Sequence, residues 1–504
     1  MLASIATFAI DGVGSREITV EVDVRRGLPA FQIVGLPDAG VREARERVRA
    51  ALLNSELEFP QQRLTANLAP GDVRKAGPSF DLALALGVLA ASAQIPREEL
   101  GTYAVCGELS LSGAVRPVHG VLAVAIGAQR AGYQRLVVPV ANGPEAALVE
   151  GLEVIGVEDI EELVDVMKGR KEPRRVTPLA PSERYLAGDM ADVRGQEDAK
   201  RALEIAAAGG HNLLMVGPPG SGKTMLARRL PSILPPPTFE EAVEITRVHS
   251  VAGIGSGRLA VERPFRAPHH TISPPGLVGG GGTPRPGEVT LAHCGVLFLD
   301  EMAEFSRAAL EGLRQPLESG EVEVMRGQRS MRFPAAVMLV GACNECPCGR
   351  AKTECKCSEV ESARYHRRLS GPLLDRIDLI CSVSAPLRNE LVDEQAPRSE
   401  PSNAIRARVV AARARQAERL AGTHALCNAQ MDGPATRRFV RLPASARSLL
   451  ASADTPGDLS GRAHDRVLRL ARTIADLDER EEVGVPDVVE ALGYKLALPE
   501  LAAA

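Results

Sequence analysis

The residues with the clearest chemical role form a glycine-rich turn near the middle of the chain. An apolar segment, 213–216, leads into this turn, which consists of Gly217, Pro218, Pro219, Gly220, Ser221, Gly222, Lys223 and Thr224. Glycines let backbone N–H groups converge on an anion, and the start of the following helix adds partial positive charge. Lys223 would reach the β and γ phosphates, and the Thr224 hydroxyl would bind Mg²⁺. The pattern therefore predicts a P-loop with ATP and Mg²⁺ as cofactors.

A second apolar segment ends in two carboxylates. Residues 295–299 read Gly-Val-Leu-Phe-Leu, and Asp300 and Glu301 follow directly. We expect Asp300 to hold Mg²⁺ through water and Glu301 to orient or polarise the attacking water. A solvated acidic strand end is the alternative for an isolated Asp-Glu pair, but a P-loop upstream in the same domain favours the catalytic interpretation.

Three further polar side chains are candidates for completing a nucleotide site. Asn344 follows the apolar segment 336–341 and is expected beside the Asp300 strand end, where it would sense the γ-phosphate. Arg376 is a candidate arginine finger for the nucleotide of a neighbouring subunit, a role that contributes about 10³–10⁵ in rate in other systems. Arg462, near the start of a C-terminal helix, is a candidate second sensor, with a surface arginine as the alternative. These roles predict that one subunit does not suffice.

A cluster of cysteines suggests a second metal. Five of the nine cysteines lie between Cys343 and Cys357, which favours metal in a reducing compartment over a disulfide framework. Two C-x-C pairs supply four candidate ligands for a tetrahedral Zn²⁺ site, namely Cys346, Cys348, Cys355 and Cys357. Their spacing is tighter than the usual C-x₂-C, so free buried cysteines remain the alternative, and Cys343 is a nearby substitute ligand.

The composition carries no strong charge signature. The 504 residues have a formal net charge of −4, so any contact with DNA must come from local patches. Tryptophan is absent and aromatic residues make up 3%, which disfavours base stacking as the main binding mode. No segment approaches the ~20 apolar residues that span a bilayer, and residues 1–10 lack a basic region. We therefore expect no membrane partner, no signal peptide and a cytoplasmic location.

Shifts in composition divide the chain. Segment 168–182 is basic and rich in proline, and segment 389–402 is acidic and low in apolar residues, so both are expected to be linkers. The predicted division is a first domain 1–170, a linker 171–190, an ATPase core 191–388 with the cysteines at 343–357, a second linker 389–403 and a helical lid 404–504.

Several segments have more than one interpretation. Basic segments 42–49 and 63–75 would bind DNA or form solvated faces. The glycine- and proline-rich insert 263–288 cannot be a plain helix, and we expect a mobile loop that contacts substrate rather than a structural loop. Its His269 and His270 would point to opposite faces of a strand, which disfavours a shared metal. Segment 320–334 predicts a β-hairpin that turns near residues 326–327, with a basic tip that grips phosphates or is merely solvated.

Four stretches of the N-terminal region are Gly77-Pro78-Ser79, Cys106–Leu109, Arg116–Gly120 and Ala131-Gly132. With them, residues 1–165 resemble the proteolytic domain of Lon protease, in which the serine is a nucleophile and a nearby lysine is its base. Leu122 stands at the position of that lysine here. Because a serine without a base is not activated, we predict no peptidase activity and expect Ser79 to be a helix N-cap, with Asp81 in the first turn.

Six further stretches, 209–214, 263–271, 285–288, 346–349, 369–379 and 471–477, complete a pattern that covers nearly the whole chain. The chain resembles the Mg-chelatase-like AAA+ proteins of the ComM (YifB) family. The P-loop, Asp300, Glu301, Asn344, Arg376 and Arg462 match functional positions of that family. The resemblance implies an α/β protein with an AAA+ P-loop NTPase core and an α-helical lid, preceded by an α+β Lon-proteolytic-like domain.

The resemblance also implies an activity. It implies a homo-hexameric ring that hydrolyses ATP to move along branched or single-stranded DNA, in branch migration of recombination intermediates during natural transformation, with recombination proteins as further partners. Relatives differ in whether the residue matching Arg462 acts within its subunit or on the neighbour. Two other classes remain: a Lon-like motor that remodels or degrades proteins, which Leu122 disfavours, and a magnesium-chelatase subunit, which is not expected to carry a Lon-like front domain.

Overall fold

The computed structural model describes residues 1–73, 75–98, 100–181, 188–281, 285–326, 329–348, 355, 357–366, 368–369, 371–384, 399–452 and 461–496. The chain forms two compact units. The N-terminal unit consists of Met1–Glu183, Phe239–Val261 and Met325–Arg332, and the C-terminal unit of Arg184–Thr238, Glu262–Val324 and Phe333–Ala504. The domain bounds proposed from composition remain predictions.

The strands are β1 Leu2–Asp11, β2 Gly14–Arg25, β3 Ala30–Val34, β4 Arg63–Ala69, β5 Tyr103–Val105, β6 Glu108–Leu109, β7 Val115–Arg116, β8 Arg135–Pro139, β9 Glu153–Val157, β10 Leu213–Val216, β11 Phe265–Arg266, β12 Gly279–Gly280, β13 Arg285–Pro286, β14 Val296–Leu299, β15 Glu321–Arg326, β16 Arg329–Pro334, β17 Met338–Cys343 and β18 Leu379–Ser382.

The helices are α1 Ala39–Asn54, α2 Asp81–Ala91, α3 Val121–Arg130, α4 Gly143–Ala146, α5 Ile160–Met167, α6 Glu197–Gly209, α7 Lys223–Ile233, α8 Phe239–Ala252, α9 Pro274–Val278, α10 Glu288–Leu291, α11 Arg307–Gly312, α12 Arg314–Ser319, α13 Glu359–His366, α14 Gly371–Leu374, α15 Ser402–Arg419, α16 Gly433–Phe439, α17 Ala444–Ser452, α18 Gly461–Leu477 and α19 Val485–Leu496.

A seven-stranded sheet organises the N-terminal unit, in the order β3-β4-β2-β1-β5-β8-β9. β1 and β2 pair antiparallel from Leu2 opposite Asp23 to Asp11 opposite Gly14, as their alternating sequences predict. β1, β5, β8 and β9 run parallel to their neighbours in this series. Helix α2 is apolar on every side, which explains why it is buried along its whole length against β1, β2 and α1.

The structure contradicts the predicted N-cap role of Ser79. This residue lies inside a 3₁₀ turn, Pro78–Phe80, and α2 begins after it without a capping side chain. The Ser79 carbonyl accepts a hydrogen bond from the N–H of Gly107 at 3.1 Å. Leu122 is fully buried in α3, so hydrophobic packing occupies the position expected for a base. The absence of peptidase activity remains a prediction.

The basic segments 42–49 and 63–75 are partly internal. Arg47 donates from Nε and Nη2 to the Asp81 carboxylate at 2.7 and 2.9 Å, and the Asp81 side chain is fully buried. Lys75 is fully buried as well, and its ammonium group contacts the Pro70 carbonyl. Neither cation is free to bind a phosphate, so a DNA-binding face in these segments could use only their remaining arginines.

A five-stranded sheet organises the C-terminal unit, in the order β11-β14-β17-β10-β18, and its neighbouring strands pair in parallel. β10, β14 and β17 are buried along their whole length, as their continuous apolar sequences require. Helix α6 packs on β10 and β18, and α7 packs on β17. These helices cover the sheet that carries the predicted nucleotide site.

Helices α15–α19 span residues 402–496, and the assignment of 404–504 as a lid remains a prediction. α15 packs on α6 and α7, and α18 packs on α6, α15 and α19. α18 buries Val467, Leu470, Ala471 and Ile474, whose spacing of three or four residues places them on one face.

A buried polar cluster connects the lid with the sheet. His211, which precedes β10, lies 2.8 Å from the Thr473 hydroxyl through Nε2 and 3.4 Å from the Asp378 carboxylate through Nδ1. Asn428 donates to Thr473 and to the carboxylate of Asp476. Burial lowers the pKa of His211, and the Asp378 carboxylate only partly opposes this effect. The imidazole is therefore held neutral within the cluster.

The predicted hairpin 320–334 is present as β15 paired with β16. Part of its predicted turn, residue 327, lies outside the described residues, as do residues 389–398 of the second linker, residue 282 of the glycine run and the predicted lid beyond 496. Among the helices that the structure describes, none combines the length and apolar character needed to cross a bilayer.

Removal of the Asp81 carboxylate should destabilise the N-terminal unit. Asp81→Ala leaves the largely buried Arg47 guanidinium with only the exposed carboxylate of Glu43, 3.8 Å away, and breaking a buried pair from one side costs about 3–5 kcal/mol. We expect urea unfolding, followed by far-UV circular dichroism, to show a loss of that size. Glu46→Ala removes an exposed partner of Arg45 on α1 and should change stability by less than about 0.5 kcal/mol. Equal losses for the two variants would contradict the role of the buried pair.

The neutral state of His211 should make the C-terminal unit less stable in mild acid. The unfolded chain binds a proton on this histidine below about pH 6.5, whereas the folded chain resists it, so the free energy of unfolding falls as the pH drops. This contribution is at most about 1.4 kcal/mol per pH unit. Denaturation of wild type and His211→Gln at several pH values from about 7.5 to about 5.5 would measure this contribution. This range extends about one unit above and below the pKa of the unfolded chain.

The informative quantity is the slope of stability against pH rather than stability itself. His211→Gln loses packing and hydrogen bonds at every pH. It also removes the group that binds a proton in the unfolded chain but not in the folded chain. We therefore expect a shallower slope for the variant. Identical slopes for the two proteins would show that His211 titrates equally in both states. The charged groups that face the ring are Asp378, Arg469 and Arg413.

Candidate functional site

Three parallel strands bring their carboxyl ends to one edge of the sheet in the C-terminal unit. β17 lies between β10 and β14, and its Gly341 is opposite both Leu214 and Leu299. The chain therefore leaves each strand at nearly the same level of the sheet, where ligands bind in open α/β folds. The turn after β10, Asp300 after β14 and Asn344 after β17 come together at this edge.

The turn after β10 requires glycine for two different reasons. Gly217 passes so close to the next strand that a Cβ atom would lie 2.0 Å from the carbonyl oxygen of Val383. Gly222 has φ of +94°, in the left-handed region that favours glycine, and it precedes the first residue of α7, Lys223. Since the first N–H groups of a helix lack partners within it, this arrangement offers donors to an anion in the turn.

The Lys223 ammonium lies inside the turn. It donates to the carbonyls of Gly217 and Pro218 at 2.7 and 2.8 Å and lies 3.4 Å from Oδ1 of Asn344. Burial lowers the pKa of Lys223, and acids that include Asp300 counteract this shift. A buried cation held mainly by neutral carbonyl groups is well placed to exchange them for a phosphate oxygen.

Asp300 and Glu301 have different surroundings. The Thr224 hydroxyl donates to Oδ2 of Asp300 at 2.8 Å, while Oδ1 of Asp300 accepts from the N–H of Glu301. The Glu301 backbone has φ of +51°, an unusual conformation for a residue with a side chain, and its carboxylate is 57% exposed. Asp300 is thus fixed next to a hydroxyl, whereas the Glu301 side chain is mostly exposed to solvent.

These residues fit a nucleotide with its magnesium ion. A hydroxyl and a carboxylate oxygen in direct contact, Thr224 and Asp300, are the hard oxygen donors that Mg²⁺ prefers. Glycine-rich backbone and a buried ammonium group supply the complement to phosphate. Thr224 and Asp300 would hold the ion, directly or through water, and Lys223 would hold the terminal phosphates.

The two adjacent histidines of the insert do not lie on a strand, which corrects the expectation that they point to opposite faces. β11 ends at Arg266, and the rings of His269 and His270 lie 4.2 Å apart. Nδ1 of His270 is 3.5 Å from a carboxylate oxygen of Glu301. No sequence pattern predicts this contact, because it depends on how the insert folds back onto the end of β14.

The insert is also less open than expected. Arg266 makes two hydrogen bonds, of 2.6 and 2.8 Å, to the carboxylate of Glu288. The segment between them contains the short elements α9, β12 and β13. This bidentate pair supports the structural interpretation for the two ends of the insert.

In the turn before α6, Val193 is fully buried and Gly195 has φ of +64°. The next residue, Gln196, was not predicted, and it donates to the carbonyls of Ser384 at 2.6 Å and Ser221 at 3.3 Å. Gln196 therefore links this turn to the P-loop.

The loop that carries Arg376 is fixed through its backbone. The Asn212 side chain donates to the Arg376 carbonyl at 2.8 Å and accepts from the N–H of Leu339 at 2.8 Å. Arg466 of the lid helix α18 donates to the Ile377 carbonyl at 2.7 Å. The position of Arg376 is thus coupled to the start of β10, to β17 and to the lid.

Glu318 is the shared partner of both predicted arginines. The Arg376 guanidinium contacts Oε2 of Glu318, and the Arg462 guanidinium lies 3.8 Å from Oε1. The Arg376 side chain is 13% exposed and that of Arg462 70% exposed. The structure brings these two residues together, whereas Lys223, Thr224, Asp300 and Asn344 form a separate group of contacts. Sequence reasoning missed Glu318, since nothing in its spacing predicts the pairing.

The four predicted zinc ligands also converge. Their Sγ atoms all lie within 4.8 Å of one another, with 3.0 Å between Cys346 and Cys348 and 3.4 Å between Cys346 and Cys355. Burial and the neighbouring thiols raise the pKa of Cys346 to about 12. None of the nine cysteines forms a disulfide, so the alternative of free thiols also stands.

Comparison with known proteins identifies the family. Three family models match: "Magnesium chelatase, subunit ChlI" over residues 189–391, "Subunit ChlI of Mg-chelatase" over 20–142 and "Magnesium chelatase, subunit ChlI C-terminal" over 399–495. The uncharacterized protein YifB of Escherichia coli is 41% identical over 98% of this chain and 97% of its own. Competence protein ComM of Haemophilus influenzae is 41% identical over the same shares.

Similarity to Lon protease covers a shorter stretch. Lon protease 2 of Bacillus subtilis is 35% identical over 98 residues, which are 19% of this chain and 17% of that protein. The similarity to YifB and ComM, by contrast, covers nearly the full length of all three proteins. The chain therefore belongs to the Mg-chelatase-like AAA+ ATPase family that contains ComM and YifB.

Proposed function

We propose that this protein is an ATP-driven ring motor that acts on DNA, and that it drives branch migration of recombination intermediates during natural transformation. Residues 191–388 would form the ATPase core, 404–504 the lid and 1–170 a peptidase-inactive Lon-like domain. Its substrate would be branched or single-stranded DNA, with recombination proteins as further partners. Its place of action would be the cytoplasm.

The observation that carries the ATPase part is the contact group at the sheet edge. Lys223, Thr224, Asp300 and Asn344 are joined by hydrogen bonds and close contacts, although they come from three separate strand ends. Bound ATP·Mg²⁺ supplies the transferable phosphoryl group and the divalent charge that stabilises its transfer. Glu301 would orient water from its exposed position, and His270 would position the Glu301 carboxylate.

Arg376 supports an oligomeric site. Its partner within the chain is Glu318, whose side chain is 57% exposed, so a phosphate on a neighbouring copy could replace that carboxylate. Arg462 shares the same carboxylate and is even more exposed. A homo-hexamer with one nucleotide at each interface is the assembly we propose.

The DNA part rests on the relative named Competence protein ComM and on the basic sequence of the hairpin β15–β16. A magnesium-chelatase-type ATPase subunit is the second candidate, favoured by the descriptions of the three family models. The two differ in what stimulates hydrolysis: DNA for the motor, a porphyrin with partner subunits for the chelatase. Stimulation by unfolded protein would instead indicate a Lon-like remodeller.

The cofactor set of the proposal is ATP, Mg²⁺ and Zn²⁺. Zn²⁺ would be bound by Cys346, Cys348, Cys355 and Cys357, whose sulfur atoms are already gathered.

Hydrolysis should depend on Glu301 and should respond to DNA. Loss of a group that activates water typically lowers the rate about 10²–10⁴-fold, so Glu301→Gln should reduce kcat to that extent and still bind ATP, whereas Lys223→Ala should lose ATP binding. Glu482→Gln, an exposed change in the lid, is the matched control and should behave as wild type. The assay uses single-stranded, duplex and branched DNA at two salt concentrations.

Salt separates specific binding to phosphates from other effects. A protein that neutralises several phosphates loses affinity steeply as salt rises. We therefore expect the DNA concentration for half-maximal stimulation to increase with salt. Hydrolysis that is unaffected by all three DNA forms, while Glu301→Gln still abolishes it, would retain the ATPase assignment and reject the DNA motor.

Mixing inactive variants should restore activity if Arg376 acts across an interface. The Arg376→Ala subunit keeps Glu301, and the Glu301→Gln subunit keeps Arg376. A mixed ring therefore contains a complete site wherever a Glu301→Gln subunit supplies its Arg376 to the nucleotide of an Arg376→Ala subunit. In a ring of heterologous interfaces, random equal mixing gives about one quarter complete sites. The measurement compares the rate of ATP hydrolysis by the mixture with the rate of each variant alone.

Arg462 can be assigned by the same approach. Arg462→Ala mixed with Glu301→Gln should regain activity if Arg462 serves the neighbouring nucleotide, and should not if it serves its own. No recovery in the Arg376 mixture, with mixed oligomers verified by differently tagged chains, would contradict the interface role of Arg376.

A further inference from the structure

The geometry of the four clustered cysteines matches a single bound ion rather than disulfides. Adjacent sulfur atoms are 3.0, 3.4 and 3.6 Å apart, well beyond the S–S bond length of about 2.05 Å. Four sulfurs around one Zn²⁺ at about 2.3 Å would be separated by about 3.8 Å, close to these values. An iron–sulfur cluster, which places several irons between its ligands, would need a wider separation than the 4.8 Å limit observed here.

The cysteine-bearing segment begins at the nucleotide site. The carbonyl of Cys343, the last residue of β17, accepts from the N–H of Gly217 at 3.2 Å. The next residue is Asn344, whose side chain lies 3.4 Å from the Lys223 ammonium. Cys346 follows after one more residue and is buried. A ligand of the metal is thus two positions from the predicted phosphate sensor.

The segment also returns to the nucleotide site. Helix α13 starts two residues after Cys357, and its Tyr365 is buried, with the hydroxyl group accepting from the backbone N–H of Asn344. Arg368, just beyond α13, donates to the carbonyl of Ala303 at 3.2 Å and to the carboxylate of Glu304 at 2.6 Å. These two residues belong to the turn that directly follows Glu301.

We propose that Cys346, Cys348, Cys355 and Cys357 bind one Zn²⁺ and that the bound ion holds Asn344 in place beside Lys223. The ion closes the chain between β17 and α13, so that Asn344 is held from both sides: by β17 and by Tyr365. Without the ion, Cys346 and Cys357 are no longer joined through a common ligand, and Asn344 loses the second support. The positioning role of the metal rests on the proposed ATPase function, whereas metal binding does not.

Metal binding is tested without reference to activity. Elemental analysis of the purified full-length protein should give one zinc per chain, and Co²⁺ substitution should give the absorption bands of a tetrahedral tetrathiolate site. The double variant Cys355→Ser/Cys357→Ser should lose both signals. Cys106→Ala, which removes a buried thiol from the N-terminal unit, should keep them. Full zinc content in the double variant, or none in wild type after saturation with Zn²⁺, would overturn the site.

The positioning role has a structural and a kinetic readout. Hydrogen–deuterium exchange of the backbone around Asn344 should increase in the double variant, and unchanged exchange would overturn the role of the ion there. Displacement of a catalytic group by about 1 Å can lower the rate about 100-fold. In the double variant, kcat should therefore fall by about 10- to 100-fold with a small change in KM. In an Asn344→Ala background the same cysteine changes should have almost no further effect.

Additive losses from Asn344→Ala and the cysteine changes would show that the metal acts elsewhere, and would overturn the coupling. Failure of the proposed function would look different. Wild type would bind zinc, and exchange around Asn344 would increase in the double variant, but wild type would hydrolyse no ATP. The zinc and exchange measurements therefore judge this inference even in that case.

Discussion

The register of three parallel strands is the constraint on which the candidate site depends. Gly341 of β17 faces Leu214 on one side and Leu299 on the other, so the three chains leave the sheet level with one another. A shift of one residue would turn the side chains of a strand to the opposite face and move Asp300 or Asn344 away from the P-loop. Side chains of all three strands, among them Met215, Phe298 and Val340, pack in one hydrophobic cluster, which links the core directly to the chemistry.

The charged groups at this edge are held by neutral partners. Lys223 is buried enough for its pKa to be lowered, yet its strongest contacts are two neutral carbonyl groups. Asp300 is engaged by a hydroxyl group rather than by the lysine. A cation and an acid kept apart by neutral partners can each bind an external charge without first breaking a salt bridge. This separation suits a site that must bind and release a highly charged ligand in each cycle.

The parts of the site that follow strand ends could be predicted from sequence, since they depend on local pattern and on general rules of parallel sheets. The P-loop, Asp300 and Asn344 are of this kind. The contacts of His270 with Glu301, of Glu318 with Arg376 and of Gln196 with the P-loop could not, because each depends on the packing of loops distant in sequence. Ser79 was misjudged because a 3₁₀ turn replaces the expected cap, and Arg47 because its exposed-looking helix faces a buried carboxylate.

Glu318 holds two arginines within one chain that the proposed ring would use between chains. Two guanidinium groups share its carboxylate, and only Arg376 is largely withdrawn from solvent. The Glu318 side of the pair is 57% exposed, so the net stabilisation from the pair is small, about 1 kcal/mol or less. A doubly charged phosphate presented by a neighbouring copy would attract the same arginines more strongly than one carboxylate does. In the proposed ring, the pair with Glu318 would therefore keep Arg376 oriented without preventing Arg376 from binding the phosphate of a neighbouring copy. Assembly rather than folding would then determine which anion Arg376 binds.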